Sequence, residues 1–149
     1  MGVSFYPVGN GAPTLRWKMA ASQTIAKGDP VILSSGLVAI AVANSSAAIL
    51  GFAAESVTSA ASGNYYIDIW LAKGDTKFKA TASTTVAITD FFTATASCFD
   101  LAGTTGSFTV NLAASSQDIF QVVGTPDGIE NGTLSTTCYV IVNKRYLLD

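Results

Sequence analysis

The chain has 149 residues, with 8 Lys and Arg against 10 Asp and Glu, and no histidine. Its formal charge is −2, and 12% of its residues are charged while 49% are hydrophobic; soluble domains ordinarily carry about 25% charged residues. The missing histidine excludes Ser-His-Asp and Cys-His catalysis and imidazole metal sites, and the acidic balance lacks the cationic excess that nucleic-acid binding draws on.

Hydroxyls must therefore supply the polar exterior, and there are 15 Ser and 17 Thr. Mean hydropathy is +0.41. Even so, the longest pure apolar run, Leu37 to Ala43, is far short of the ~20 residues a membrane-crossing helix needs, so no membrane partner is expected. The segment Met1-Gly2-Val3-Ser4-Phe5-Tyr6-Pro7 has neither the basic nor the apolar region of a secretory signal. Cys98 and Cys138 do not have metal-ligand spacing, and two buried thiols are favoured over a disulfide.

In chain order, residues 1–13 read as an extended N-terminal arm. Gly2, Pro7, Gly9, Asn10, Gly11 and Pro13 leave no apolar period and disfavour both helix and interior strand. Phe5 and Tyr6 are unnecessary in a solvated tail, so they are expected to dock onto the chain's own domain or a neighbouring subunit. Residues 14–149 read as a single β domain. In Thr14–Met19 the apolar Leu15, Trp17 and Met19 alternate with Thr14, Arg16 and Lys18, as in a half-buried strand. Trp17 is then expected in the core, with Arg16 and Lys18 on the opposite face, solvated or in an interface.

Lys27-Gly28-Asp29-Pro30 is a turn, and Val31–Leu33 with Leu37–Val42 form a hairpin across Ser34-Ser35-Gly36. Ile49–Ala54 is a short strand whose Gly51 marks a bulge or a close backbone approach. Tyr65–Leu71 is the strongest strand signal, with Tyr65, Ile67, Ile69 and Leu71 on one face and Tyr66, Asp68 and Trp70 on the other. After the Lys73-Gly74-Asp75 turn, Thr76–Thr81 alternates lysines with small or apolar residues, as an exposed or edge strand does. Residues 82–106 read as loops with one short strand. Ser107–Leu112, Asp118–Val123 and Thr137–Tyr146 complete the set, with Asn131-Gly132 as a tight turn before the last strand. The expected fold is all-β: a small β-barrel or β-sandwich of about nine or ten short strands.

Little in the chain suggests chemistry. Asp29, Asp75, Asp127 and Glu130 sit at turns, where short acidic side chains bond nearby backbone. Asp68 is explained by a surface face. Ala26-Lys27-Gly28-Asp29 recurs as Ala72-Lys73-Gly74-Asp75, two glycine turns leading into strands. Asn44-Ser45-Ser46 and Asn131-Gly132-Thr133 match the glycosylation pattern but are taken as loop residues. No catalytic, cofactor or metal residues are assigned.

The run Gln23-Thr24-Ile25-Ala26-Lys27-Gly28-Asp29-Pro30-Val31-Ile32-Leu33, then Gly36-Leu37-Val38, then Ala47-Ala48-Ile49-Leu50-Gly51-Phe52-Ala53, resembles the capsid decoration (cement) proteins of tailed bacteriophages. In that family a Gly-Asp turn leads into an apolar strand, and a strand like Ile-Leu-Gly-Val-Ala follows; this chain has Phe52 where a smaller residue is common. Tyr65 to Leu71 looks like a later strand of the family. Phe120-Gln121-Val122-Val123-Gly124 with Tyr139-Val140-Ile141-Val142 looks like its closing hairpin.

The resemblance implies a non-enzymatic structural protein on the outer capsid surface of a virion, made in the host cytoplasm. Such a protein assembles as a trimer or dimer and clamps neighbouring major capsid subunits, with no cofactor and no nucleic-acid partner. Phe5, Tyr6, Arg16 and Lys18 are the expected protein-interface residues. The alternative is a receptor- or glycan-binding fibre or tail module that uses Tyr66 and Trp70 as stacking platforms.

Overall fold

Antiparallel strands dominate the computed structural model, which describes residues 3–9, 11–94, 97–126 and 134–147. The expected Asn131-Gly132 turn, the second glycosylation match, Asp127 and Glu130 lie outside the described residues. In chain order the strands are β1 (Phe5–Pro7), β2 (Thr14–Lys18), β3 (Thr24–Ile25), β4 (Pro30–Ser34), β5 (Leu37–Ile40), β6 (Gly51–Ala53), β7 (Val57–Thr58), β8 (Tyr66–Leu71), β9 (Phe78–Thr81), β10 (Asp100–Thr104), β11 (Ser107–Asn111), β12 (Phe120–Gly124) and β13 (Thr137–Val142). A 3-10 turn, Ile88–Asp90, is closed by Asp90, whose carboxylate accepts the Ala87 N–H at 2.7 Å. No α-helix occurs among the described residues.

Two larger sheets carry the architecture, in the orders β1-β9-β13-β12 and β2-β8-β6-β4-β5; β10-β11 and β3-β7 are two-stranded. The larger sheets pack face to face through phenylalanines. Phe5, Phe52, Phe78 and Phe120 are fully buried, with ring centroids 4.5 Å apart for Phe5–Phe52, 5.0 Å for Phe5–Phe120 and 4.5 Å for Phe52–Phe78. Alternation supplies the rest of this layer, because Ala80, Cys138, Val140, Val142 and Val122 all point inward from the four-stranded sheet. Aromatic stacks of this kind add to the area term of burial.

The other face of the five-stranded sheet builds a second core from Val31, Val38, Ala53, Ile67 and Ile69, joined by Met19, Ile25 and Leu50. The short β3-β7 ribbon contributes Ile25 and Val57, and Leu147 of the C-terminal segment packs against this core. Met19 makes a parallel bridge to Val38, so the continuation of one edge strand of this sheet touches the other edge strand at one end. No sheet closes into a barrel among the described residues.

Two local features follow from glycine. Ser34 pairs with Leu37, and between them Ser35 (φ 52°) and Gly36 (φ 79°) are both left-handed, the conformation of a two-residue hairpin turn. At Gly51 a Cβ would fall 2.1 Å from the Trp70 carbonyl oxygen, so the close approach expected there is real.

Several expectations change. Phe5–Pro7 is an edge strand of the four-stranded sheet, so of the two docking sites left open Phe5 takes the chain's own domain, where its ring fills the space between the sheets. Pro7 is tolerated because β1 lies at the sheet edge. Trp17 is 46% exposed: it points toward the side of the second core, but β2 is an edge strand and its end of that layer is open. β9 (Phe78–Thr81) lies between β1 and β13, so it is an interior strand rather than an edge one, with Lys79 turned outward. Among the described residues thirteen strands replace nine or ten, since two- and three-residue strands such as β1, β3 and β7 carry no readable period. Cys98 and Cys138 are both free and buried.

Candidate functional site

Alternation decides what the four-stranded sheet shows to solvent. With Phe78 and Ala80 inward, Lys79 and Thr81 point out; with Cys138 and Val140 inward, Thr137, Tyr139 and Ile141 point out. Register then aligns them: Tyr6 lies opposite Lys79, and Lys79 lies opposite Tyr139. Directly opposed side chains have Cβ atoms about 4.5–5.5 Å apart, so a lysine is framed on both sides by tyrosine. A depression of about 320 Å³ adjoins this row, lined by Val3, Ser4, Tyr6, Lys79, Thr81 and Thr137 among others. Tyr6, 47% exposed, is held by an edge contact with Trp70 at 5.1 Å. The Lys27 ammonium lies 5.9 Å from the Tyr6 ring and 5.7 Å from the Trp70 ring.

On the opposite side of the two cores, the five-stranded sheet opens in an apolar groove of about 190 Å³ lined by Leu15, Trp17, Leu33, Leu50, Tyr146 and Leu147. Register explains the first three: Leu15 is opposite Ile69, Trp17 is opposite Ile67, and Leu33 is opposite Val38, so all share the second-core face. The C-terminal residues are brought there by backbone bonds, Ile49 N–H to the Lys144 carbonyl at 3.0 Å and Tyr146 N–H to the Ile49 carbonyl at 2.9 Å. The Trp17 indole N–H donates to the Gly36 carbonyl at 2.8 Å, which fixes the ring while leaving it half exposed. Tyr146 is 55% exposed.

The third surface is the outward part of β2 and β8. Arg16 pairs with Asp68 at 3.1 Å and Glu55 at 3.5 Å, and its guanidinium lies 6.0 Å from the Tyr66 ring. Ion pairs this exposed contribute about 0–1 kcal/mol. Tyr66 and Trp70, the expected stacking platforms, thus both carry intramolecular partners already.

The four residues expected at an interface separate. Phe5 is fully buried and belongs to the core, because a ring enclosed by Phe52 and Phe120 cannot meet a partner without unfolding its strand. Tyr6 is exposed on the tyrosine–lysine row. Arg16 and Lys18 share the exposed face of β2, away from that row. The structure adds Lys79, Tyr139, Trp17 and Tyr146. The outward alternation of Lys79 and Tyr139 was visible in the sequence, but their alignment depends on register, which was not.

The buried polar groups do structural work. Asp29 is fully buried, and its carboxylate accepts Ala26 N–H at 2.9 Å and Gly106 N–H at 2.9 Å, tying one turn to the tip of the β10-β11 hairpin. Burial pushes its pKa above the ordinary value, opposed by those two N–H groups. Asp75, its counterpart in the repeated tetrapeptide, is exposed. Asp100 accepts N–H groups from Ser116, Gln117 and Asp118. Burial raises the Cys98 thiol pKa and pushes that of Cys138 up to about 12, with Asp90 adding repulsion to the latter. No cluster of three or more metal-ligating side chains occurs among the described residues.

Compared with known proteins, the chain matches no family model, no curated protein and no solved structure.

Proposed function

We propose that this chain is a non-enzymatic structural virion protein, built as a β-sandwich, that binds the outer surface of an assembled phage head and cements neighbouring major capsid subunits. The observation that supports this is the pair of opposed surfaces: the tyrosine–lysine row on the outside of the four-stranded sheet and the apolar groove beyond the five-stranded sheet. A cement must engage two bodies at once through a scaffold that does not deform between them, and two packed cores separate these surfaces. The two differ in chemistry, which suits contact with the capsid through one and with a second copy, in a dimer or trimer, through the other. The low charge density fits the same role, since charged residues are depleted in interface cores, where desolvating them is costly.

Co-sedimentation with purified empty heads tests the proposal. The chain is expected to pellet with assembled heads at micromolar concentration and to ignore unassembled major capsid subunits. Failure to pellet with heads overturns it. Glycan-array binding that depends on Trp70 would instead favour the receptor-binding alternative.

A further inference from the structure

We infer that the outer face of the β1-β9-β13 sheet is the capsid-facing surface, and that Lys79 seats a carboxylate of the partner protein between Tyr6 and Tyr139; this rests on the capsid-binding proposal. The chain is net acidic, yet the outward positions of these three strands, Tyr6, Lys79, Thr81, Thr137, Tyr139 and Ile141, include a cation and no carboxylate. Lys77 continues the outward alternation of β9, and Lys27 adds a further positive charge beside Tyr6.

The ion pairs within 4 Å among the described residues both belong to Arg16, on another face, so Lys79 has no counter-charge among the described residues. The loop carrying Thr93 meets the β12 end, where the Gln121 amide donates to the Thr93 carbonyl, while Tyr6 and Lys79 on the β1-β9-β13 part are exposed.

The chemistry of the row points to an acidic protein surface. Tyrosine is enriched in interface cores and lysine depleted, because a lysine desolvated without a partner is costly. A lysine framed by two tyrosines, beside a depression lined by Ser4, Thr81 and Thr137, is relieved of that cost when an Asp or Glu enters from the partner. The rings then exclude water around the pair, which strengthens it.

The test compares full-length wild type, Lys79→Glu, Lys79→Ala, Tyr139→Ala and, as a control at the exposed Lys73 of the Lys73-Gly74-Asp75 turn, Lys73→Glu in co-sedimentation with empty heads of the phage that encodes the chain, after confirming unchanged thermal midpoints. Lys79 is exposed, so its reversal is tolerated by the fold. The expected result is a rise in Kd of roughly thirtyfold or more for Lys79→Glu, as for disrupting a desolvated charge pair. Tyr139→Ala should weaken binding about tenfold, Lys73→Glu should bind as wild type, and salt should weaken wild type more than Lys79→Ala. Wild-type binding that Lys79→Glu leaves intact overturns this face assignment while the capsid proposal stands. Heads that retain no wild type overturn both. Loss of self-association rather than head binding in Lys79→Glu overturns the inference by assigning the face to contacts between copies.

Discussion

Replacing Phe5 with alanine asks whether the first residues belong to the core. The ring is fully buried and stacked 4.5 Å from Phe52 and 5.0 Å from Phe120. Truncating a buried phenylalanine costs about 3–5 kcal/mol, from lost transfer energy and the cavity left behind. For a chain of this size each kcal/mol lowers the thermal midpoint by about 2–4 °C, so a fall of roughly 6–20 °C is expected. Tyr6→Ala is the internal control. Its half-exposed ring loses only the edge contact with Trp70 and the Lys27 contact, about 1 kcal/mol together. Differential scanning calorimetry of both variants, with urea unfolding for comparison, measures the contrast. A Phe5→Ala midpoint within about 3 °C of wild type, or no larger a loss than for Tyr6→Ala, would refute the placement of β1 between the sheets.

Other consequences are equally direct. Gly51→Ala drives a Cβ toward the Trp70 carbonyl, and a loss of roughly 3 kcal/mol in urea unfolding is expected, the upper part of the overpacking range; a neutral outcome would mean β6 and β8 are not so close. Asp29 has a folded-state pKa raised above its ordinary value, so its contribution grows as pH falls through that raised pKa, is complete below the unfolded value, and is lost as pH rises. The thermal midpoint of wild type relative to Asp29→Asn should therefore climb as pH is lowered from neutral toward 4; a difference that does not change with pH contradicts the burial of the charge. Cys138, with its thiol pKa pushed up to about 12, and the buried Cys98 should ignore a thiol-specific chromogenic disulfide at pH 8 until the protein is denatured, when both should react. Rapid labelling of the native protein would show an opening that the structure lacks.

Local chemistry made the strands of the middle of the chain legible. Tyr65–Leu71 alternates over enough residues for its period to be plain, and Cys138, Val140 and Val142 fall inward as their spacing requires. The turn at Gly28, the Ser35-Gly36 hairpin and the tight contact at Gly51 followed from what glycine alone can do. The same logic failed at Phe5–Pro7, where glycine and proline suggested an arm; a three-residue edge strand has no period, and its fate rests on where one phenylalanine finds an enclosure. It also failed at Trp17, whose alternation gave the correct face but not whether that face was covered.

The sequence by itself determined an all-β chain, its turns and the alternation of its longer strands, because these follow from backbone sterics and a period of two; it favoured two free thiols, and the structure shows them free. Tertiary structure alone decided which strands are neighbours. Pairing β9 with both β1 and β13 aligns Tyr6, Lys79 and Tyr139, and joining Leu15 and Trp17 to Tyr146 and Leu147 makes the apolar groove. Both surfaces unite residues that are more than a hundred positions apart. Register between distant strands is set by how the whole core fills, which no single stretch of sequence contains.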